Sequence, residues 1–302
     1  MNILLTKGST GSQVKKLQKK LNKTLSLELS IDGVFGFMTD LAVKEFQKKN
    51  NLKVDGIVGN YTWSILFPSK YNPIKSLGKS RFVIFVDAGH GGLTLEGDYT
   101  TAGKRAYHKD LELHNDGHYY EGYENRLVAE LFIEKCTDAG IQTIRTYHPY
   151  KDTELYDRVE LIRDYIHRGY YGLLISFHSN AISSRNSKEK LEKTIGFVCF
   201  TTTAQNHSDI IAEEHIKNVM DEVGEWKYFT KNNADGDMDM EKNFYIIYKS
   251  EFDNFQHFAA ILEEFGFHTS SKDCKFIIDN RENRANAALK TAQFAKEYFK
   301  NH

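Results

Sequence analysis

The sequence has few of the residues that mark specialised classes of protein, with only three cysteines and three prolines among 302 residues. Cys136, Cys199 and Cys274 are far apart and odd in number, which argues against a disulfide framework and against a thiolate metal site. No apolar run approaches the roughly 18 residues that a membrane-spanning helix needs. We therefore expect an ordinary globular protein that does not insert into membranes.

The sequence also lacks an overall charge, because 40 basic and 41 acidic residues give a net charge of −1. No field of the whole molecule would hold it on nucleic acid, so nucleic acid is not expected as a partner. The charges are nevertheless uneven. Residues 1–70 contain 11 lysines and five acidic residues, net +6, and the remainder is net −7. With a length beyond one average domain, this asymmetry predicts two domains with different partners.

The first ten residues contain four apolar residues and no small-residue cleavage site, so a secretory signal is not predicted. We expect synthesis in the cytoplasm without a signal peptide, and a monomer.

An internal repeat organises the N-terminal part: Asp32-Gly-Val-Phe-Gly36 recurs as Asp55-Gly-Ile-Val-Gly59. Asp caps its own backbone and Gly supplies positive φ, so each copy predicts a tight loop between helices. Apolar residues with helical spacing precede the first loop and lie between the two loops. Residues 1–68 therefore predict a small all-α domain of three helices, and residues 69–80 a linker.

From Arg81 onward, short apolar runs alternate with amphipathic stretches, which is typical of an α/β domain over residues 81–302. The predicted strands are Phe82–Val86, Ile141–Thr146, Leu173–Phe177, Ile195–Phe200 and Ala259–Leu262. The predicted helices are Arg126–Cys136, Leu155–Arg168, Ser208–Val223 and Arg284–Phe299.

Polar side chains follow three of these strands, at the edge where open α/β sheets bind ligands. His90 follows the first strand, His178 the third, and Glu263 and Glu264 the last. Glu121 precedes a helix after a loop-like stretch. Two imidazoles and one carboxylate are what a catalytic zinc ion takes when it keeps a position for water, and a further glutamate can then transfer a proton.

Four separated motifs resemble the zinc-dependent N-acetylmuramoyl-L-alanine amidases. They are Asp87–Gly92, Tyr120–Arg126, Ser176–Asn180 and Leu262–Phe267. Residues 1–68 are similar to the peptidoglycan-binding three-helix module through both Asp-Gly loops, Gln18, Phe46-Gln47 and Thr62-Trp63. The resemblance implies a mixed central sheet flanked by helices, and cleavage of the amide between N-acetylmuramic acid and L-alanine in peptidoglycan.

The resemblance also implies roles for individual residues. One zinc ion per chain would be held by His90, Glu121 and His178, with Glu264 as the catalytic glutamate. Glu121 is preferred over Glu124 because the family's ligand precedes a helical Asn by four residues, here Asn125. Glu264 stands two residues before Gly-Phe as in the family, whereas Glu263 would point to the opposite face of the strand.

The absence of a predicted signal makes the chain resemble a phage endolysin that acts on the host cell wall. A bacterial autolysin remains an alternative. So do a zinc peptidase that cuts within the stem peptide and a non-catalytic wall-binding protein.

Other clusters and segments of the sequence are not assigned to the metal site or to catalysis. Six aromatic side chains before Glu121 predict a mobile lid over the groove: Tyr107, His108, His114, His118, Tyr119 and Tyr120. Asp235, Asp237 and Asp239 are spaced like calcium ligands, but Met240 and Ile246 stand where that loop needs Gly and Glu. Thr269–Ser271 replaces the Asn that the family usually has after the Gly-Phe turn, and residues 183–193 predict a solvated insertion.

Overall fold

The structure is a computed structural model that describes residues 5–50, 54–59, 62–63, 66–67, 81–94, 97–111, 113, 116–204, 206–224, 238–251 and 257–301. The chain divides into two compact units, Met1–Ser76 and Leu77–His302. The predicted linker, residues 69–80, lies outside the described residues, so its bounds stay a prediction. No helix in the described ranges is both long and apolar enough to cross a bilayer.

The first unit is helical, as the sequence predicts. It contains α1 (Ser12–Leu25), α2 (Phe37–Lys49) and a helical turn at Thr62–Trp63, which follows the second Asp-Gly loop. Its core is formed by apolar side chains of both helices and of the loops: Leu5, Val14, Leu17, Leu21, Phe35, Ala42, Val43, Phe46, Val58 and Leu66.

A buried glutamine holds the first Asp-Gly loop. The Gln18 side chain donates to Asp32 Oδ1 at 2.8 Å and to the Val34 carbonyl at 3.0 Å, and it accepts from the Gly33 N–H at 2.9 Å. Gly33 has φ 80°, a conformation that glycine adopts without steric cost. One amide side chain thus satisfies three polar groups of the loop.

The second loop is held in the same way. Gln47 donates to Asp55 Oδ1 at 2.8 Å and to the Ile57 carbonyl at 2.9 Å, and accepts from the Gly56 N–H at 2.9 Å. Both glutamines are 1% exposed. We call each set a glutamine clamp. The sequence repeat is therefore also a repeat of hydrogen bonding.

The second unit is an α/β domain around a six-stranded mixed sheet. The strands of this sheet are β1 (Phe82–Ala88), β4 (Thr143–Arg145), β5 (Tyr171–Asn180), β6 (Phe197–Thr201), β7 (Met240–Glu241) and β8 (Phe258–Phe267). Their order is β4-β1-β5-β8-β6-β7, and β6 and β8 pair antiparallel while the other described neighbours pair parallel. A separate antiparallel hairpin pairs β2 (Arg105–Tyr107) with β3 (His118–Tyr120). The helices are α3 (Glu121–Asp138), α4 (Leu155–His167), α5 (Lys188–Lys193), α6 (His207–Val223), α7 (Tyr245–Glu251), α8 (Ser271–Asp279) and α9 (Arg281–Asn301).

Helices cover both faces of the sheet, which explains why the strands are continuous apolar runs. All seven residues of β1 are buried. Phe82, Ile84 and Val86 pack on one side with α3, α6, α8 and α9. Val83 and Phe85 pack on the other side with α4 and α7. The predicted fold class, a mixed sheet flanked by helices after a small helical domain, is confirmed.

The structure corrects the sequence-based reading between the first strand and the first helix of this unit. The helix begins at Glu121 rather than Arg126, so Glu121 is its first residue. The stretch before it is not a continuous loop, since it contains the β2–β3 hairpin. The predicted insertion at 183–193 contains α5, whose Glu192 accepts a hydrogen bond from the Ser271 N–H at 3.1 Å.

We expect Gln18→Ala to lower the free energy of unfolding of the first unit by about 2–4 kcal/mol, because buried polar groups of the loop lose their partner. Gln47→Ala should cost a similar amount. Hydrogen exchange of the α1 amides in urea reports this unit separately. The exposed Lys19→Ala is the matched control. Wild-type protection in both glutamine variants would contradict the clamp.

Candidate metal centre and catalytic site

The sheet brings the predicted site residues together at the carboxyl ends of three adjacent parallel strands. In β1 and β5, Ala88 pairs with Phe177, so His90 and His178 emerge side by side. In β5 and β8, His178 pairs with Glu264. Glu121, at the start of α3, approaches the same edge. Residues far apart in sequence therefore meet because neighbouring parallel strands end together.

One carboxylate oxygen connects the two imidazoles. Glu121 Oε1 lies 3.2 Å from His90 Nε2 and 3.3 Å from His178 Nδ1. All three potential ligand atoms lie within 4.8 Å of one another. Glu121 is only 2% exposed. Burial favours its protonated form, but hydrogen bonds from His178 and His90 outweigh burial and hold the pKa of Glu121 well below its usual value.

The arrangement fits a tetrahedral divalent cation such as zinc. Zinc binds imidazole nitrogen and carboxylate oxygen at about 2.0–2.1 Å, which in tetrahedral geometry separates ligand atoms by about 3.3 Å. The observed separations of 3.2 and 3.3 Å from Glu121 to the two imidazoles match that spacing. Two nitrogens and one oxygen also leave a fourth position for water.

Glu264 faces this centre from the neighbouring strand. Its Oε2 atom is buried and has no hydrogen-bond partner among the described residues. Burial raises the pKa of Glu264 to about 7, and the nearby charge of Glu121 adds to that shift. A carboxyl group with a pKa near neutrality can both accept and return a proton.

Two glycines permit the close approach of these elements. A Cβ on Gly89 would lie 2.0 Å from the His178 ring, and a Cβ on Gly122 would lie 2.0 Å from the Gly91 carbonyl oxygen. The His178 ring therefore packs directly on the backbone that leads to His90, and α3 begins against the same loop.

His90 adopts the left-handed backbone conformation, with φ 63°, which is uncommon for residues other than glycine. Its carbonyl accepts hydrogen bonds from Arg126 Nη2 at 2.7 Å and from Arg158 Nη2 at 3.1 Å. These two buried guanidinium groups hold the strained backbone and so fix the position of the imidazole.

Arg158 is itself held by a buried ion pair at the end of β1. Its Nη1 atom donates to Asp87 Oδ1 at 2.9 Å, and both side chains are 1% exposed. Asp87 also accepts hydrogen bonds from the hydroxyls of Ser176 and Thr146. Burial alone would raise the pKa of Asp87, but the Arg158 charge and these hydroxyls lower it.

His178 is supported from the opposite side of the sheet. Arg284 Nη2 donates to the His178 carbonyl at 2.7 Å, and Arg284 Nε donates to Glu263. Glu263 also lies 3.0 Å from His215 Nε2, and all three side chains of this network are fully buried. Glu263 therefore faces away from the centre, as the strand alternation predicts, while Glu264 faces it.

The other candidates have structural partners. Glu124 pairs with Arg281 rather than with either imidazole. The lid prediction is wrong for Tyr119, which is fully buried. Its hydroxyl forms a hydrogen bond with Ser179 Oγ at 3.0 Å, and its ring stacks on His268. His108 is also buried and contacts the His268 carbonyl at 2.8 Å. His118 lies 3.3 Å from Asp116, and His114 lies outside the described residues.

The structure also gives partners to residues of the Thr269–Ser271 segment and of the calcium-like aspartate cluster. Ser270 caps α8, and the Thr269 hydroxyl accepts from the Ile182 N–H at 3.3 Å. Asp239 pairs with the Thr201 hydroxyl, whereas Asp235 and Asp237 lie outside the described residues.

Sequence reasoning missed Arg126, Arg158, Arg284 and His268, all buried around the centre. The available signal for Arg126 and Arg158 is their helical spacing from apolar residues, three residues before Ala129 and four before Ile162, respectively. That signal does not identify the partners of these arginines.

Two family models match the chain. The one described as N-acetylmuramoyl-L-alanine amidase matches residues 84–294, and the one described as a peptidoglycan binding domain matches residues 10–66.

Curated relatives match over short segments. An uncharacterized protein of Kitasatospora aureofaciens is 42% identical over 64 residues, which are 21% of this chain and 54% of that protein. The spore cortex-lytic enzyme of Bacillus subtilis is 40% identical over 72 residues, 23% of this chain and 24% of the enzyme. The chain thus spans about half the length of the first relative and about a quarter of the second.

Among solved structures, the N-acetylmuramoyl-L-alanine amidase from Clostridium difficile 630 is similar with a TM-score of 0.51 and 21% identity. The match covers 72% of this chain and 97% of that chain. This likeness supports the fold described above.

Asp87→Asn should lower the free energy of unfolding of the second unit by about 3–5 kcal/mol, because the buried Arg158 charge loses its partner. The pH dependence should change as well. Since folding lowers the Asp87 pKa below its usual 3.8, the wild type keeps this stabilisation above that value and loses it as the pH falls through the folded pKa. The Asp87→Asn variant should lack this part of the stability, which the wild type loses at acid pH. Urea unfolding between pH 2 and 7 measures both effects, with the exposed Asp138→Asn as control. Identical wild-type and Asp87→Asn curves would disprove the role of the pair.

Proposed function

This chain belongs to the N-acetylmuramoyl-L-alanine amidase family, and we propose that it hydrolyses the amide bond between N-acetylmuramic acid and the first L-alanine of the peptidoglycan stem peptide. The observation that carries the proposal is the Glu121 oxygen between His90 Nε2 and His178 Nδ1, with the Glu264 carboxyl beside it. Two imidazoles and one carboxylate are one of the donor sets that hydrolytic zinc sites use.

His90, Glu121 and His178 would hold one zinc ion. Zinc bound there supplies a Lewis acid for the amide carbonyl and lowers the pKa of bound water towards 7. The chain's own contribution is to fix the two imidazoles. Arg126 and Arg158 hold the His90 carbonyl, and Arg284 holds the His178 carbonyl, so neither ring has to reorganise during the reaction.

Glu264 is proposed to transfer the proton from the attacking water to the leaving group. We assign it as the general base that takes a proton from the attacking water and as the general acid that delivers it to the departing alanine nitrogen. Its unpartnered Oε2 atom and its pKa of about 7 suit both steps. Glu263 cannot substitute for it, because its carboxylate is fully buried with Arg284 and His215 on the other face of β8.

The first unit is proposed to bind peptidoglycan and so to keep the catalytic unit on an insoluble substrate. Such tethering raises the effective concentration without any new catalytic contact. The endolysin role, action on a host cell wall and the monomeric state stay predictions.

Substitution separates zinc binding from proton transfer. Glu264→Gln should keep one zinc ion per chain and lower kcat by a factor of about 10²–10⁴, since the proton acceptor is lost but the ligands remain. His178→Ala should lose the metal itself. Metal content by mass spectrometry and turnover on purified peptidoglycan measure the two effects. Glu134→Gln, on the exposed surface of α3, is the matched control. Full turnover by Glu264→Gln would remove Glu264 from its role.

Product analysis tests the bond that is cleaved. We expect mass spectrometry of digested peptidoglycan to show intact stem peptides with a free alanine amine and glycan strands without new reducing ends. Chelator should abolish these products and added zinc should restore them. Fragments cut within the stem peptide would instead assign a zinc peptidase, and the absence of any product would favour a wall-binding protein.

A further inference from the structure

The first unit contains an open groove of about 550 Å³ between the segment before the first Asp-Gly loop and the start of α2. We call it the α2 groove. Its lining includes Glu28, Asp32, Val34, Phe37, Met38 and Leu41.

The groove presents unusually exposed apolar side chains. Phe37 is 60% exposed and Met38 63%, and Val34 and Leu41 are nearly half exposed. These residues contrast with Val43 and Phe46, which form the buried face of the same helix. These four exposed side chains, which form the apolar floor of the groove, therefore contribute little to the core of the first unit. A contiguous exposed apolar patch commonly marks a binding surface.

The second copy of the internal repeat has polar residues at two of these positions in its sequence. The two Asp-Gly loops are 23 residues apart, and the second copy has Asn60, Tyr61 and Ser64 where the first has Phe37, Met38 and Leu41. Both copies retain the glutamine clamp. The Gln47 clamp is present although the sequence of its copy has Asn60 and Ser64 in place of Phe37 and Leu41. The clamp therefore does not explain the apolar residues of the first copy, which call for another explanation.

The charge of the groove is opposite to that of its unit. Glu28, Asp32 and Glu45 line it, whereas its described lining contains no lysine, although residues 1–70 hold 11 lysines and only five acidic residues. A hydrogen bond from Gln18 lowers the pKa of Asp32. Glu45 also pairs with Lys49 at 2.9 Å. Although Lys7 and Lys49 approach its edge, the lining carboxylates favour an apolar ligand that carries a cationic group.

We propose that the α2 groove binds the stem peptide of peptidoglycan, with methyl and methylene groups on Phe37, Met38 and Leu41 and a free side-chain amine near Glu28. The inference rests on the proposed function, because that function supplies peptidoglycan as the substrate. The ligand chemistry follows from the groove itself. Alanine methyls and the alkyl chain of a diamino acid match the exposed apolar side chains, and the side-chain amine matches Glu28, while the carboxylates of the peptide would point away from the groove. The Lys7 ammonium lies 5.7 Å from the Phe37 ring centroid, so this ring already accepts a cation at one face.

The test uses the full chain and a free stem tetrapeptide that contains an unmodified diamino acid and no muramic acid. This probe lacks the bond that the catalytic unit is proposed to cut, so binding is measured without turnover. In Phe37→Asn/Leu41→Ser, the residues of the second copy replace those of the first. We expect calorimetry to show at least a roughly tenfold weaker Kd for this variant, since burial of two apolar side chains is lost.

A second variant tests the charge. Glu28→Gln should weaken binding about threefold and should remove the preference for the free amine over its acetylated form. Val54→Asn, which replaces an exposed apolar residue outside the groove, should bind as the wild type does. Hydrogen exchange of α1 checks that each variant is folded.

Wild-type affinity in both groove variants would overturn the proposal. So would binding of peptide-free glycan or of an anionic wall polymer that depends on Phe37 and Leu41. The amidase proposal fails separately, on the products of peptidoglycan digestion. Variants that lose peptide binding but still release stem peptides from soluble fragments would support both assignments.

Discussion

The catalytic unit depends on a buried carboxylate that has to be compensated. Glu121 sits at the first position of a helix with almost no access to water, and two imidazoles share one of its oxygens. A buried anion of this kind is tolerated only when hydrogen bonds or a cation offset its desolvation. The close packing at Gly89 and Gly122, and the register of the parallel strands, bring the compensating groups to it.

Two networks of hydrogen bonds, each centred on a buried arginine, connect the site to the core of the second unit. On one side, the Asp87–Arg158 pair joins the end of β1 to α4 and reaches the His90 carbonyl. On the other side, Arg284 joins α9 to Glu263 and the His178 carbonyl. Each of the two histidines is therefore positioned through its backbone by a guanidinium group that is anchored in the core. The site and the core of this unit are parts of one hydrogen-bonded structure.

The sequence predicts the parts of this structure that depend on local patterns. Buried strands are continuous apolar runs, and the histidines directly follow them, so the sheet edge could be predicted. The choice between Glu121 and Glu124 could not be made from the residues alone, because both side chains are buried in the first turn of the same helix. It needed the register of a known family.

The arginines and the hairpin were beyond prediction for a different reason. Arginine is usually exposed, and Arg158 is buried only because Asp87 and the His90 carbonyl come from distant parts of the chain. Tyr119 is part of the core rather than a lid because Ser179 and His268, more than fifty residues away, pack against it. Such contacts exist only once the topology is complete.

The duplicated glutamine clamp has an evolutionary consequence. Each copy secures its own loop with an internal amide, so mutations on the outer face of one copy leave the hydrogen bonds of both copies intact. Drift of surface residues in one copy can then yield new ligand preferences while its twin preserves foldability. The repeat thus separates the residues that hold the shape of this small helical unit from those that can change at its surface.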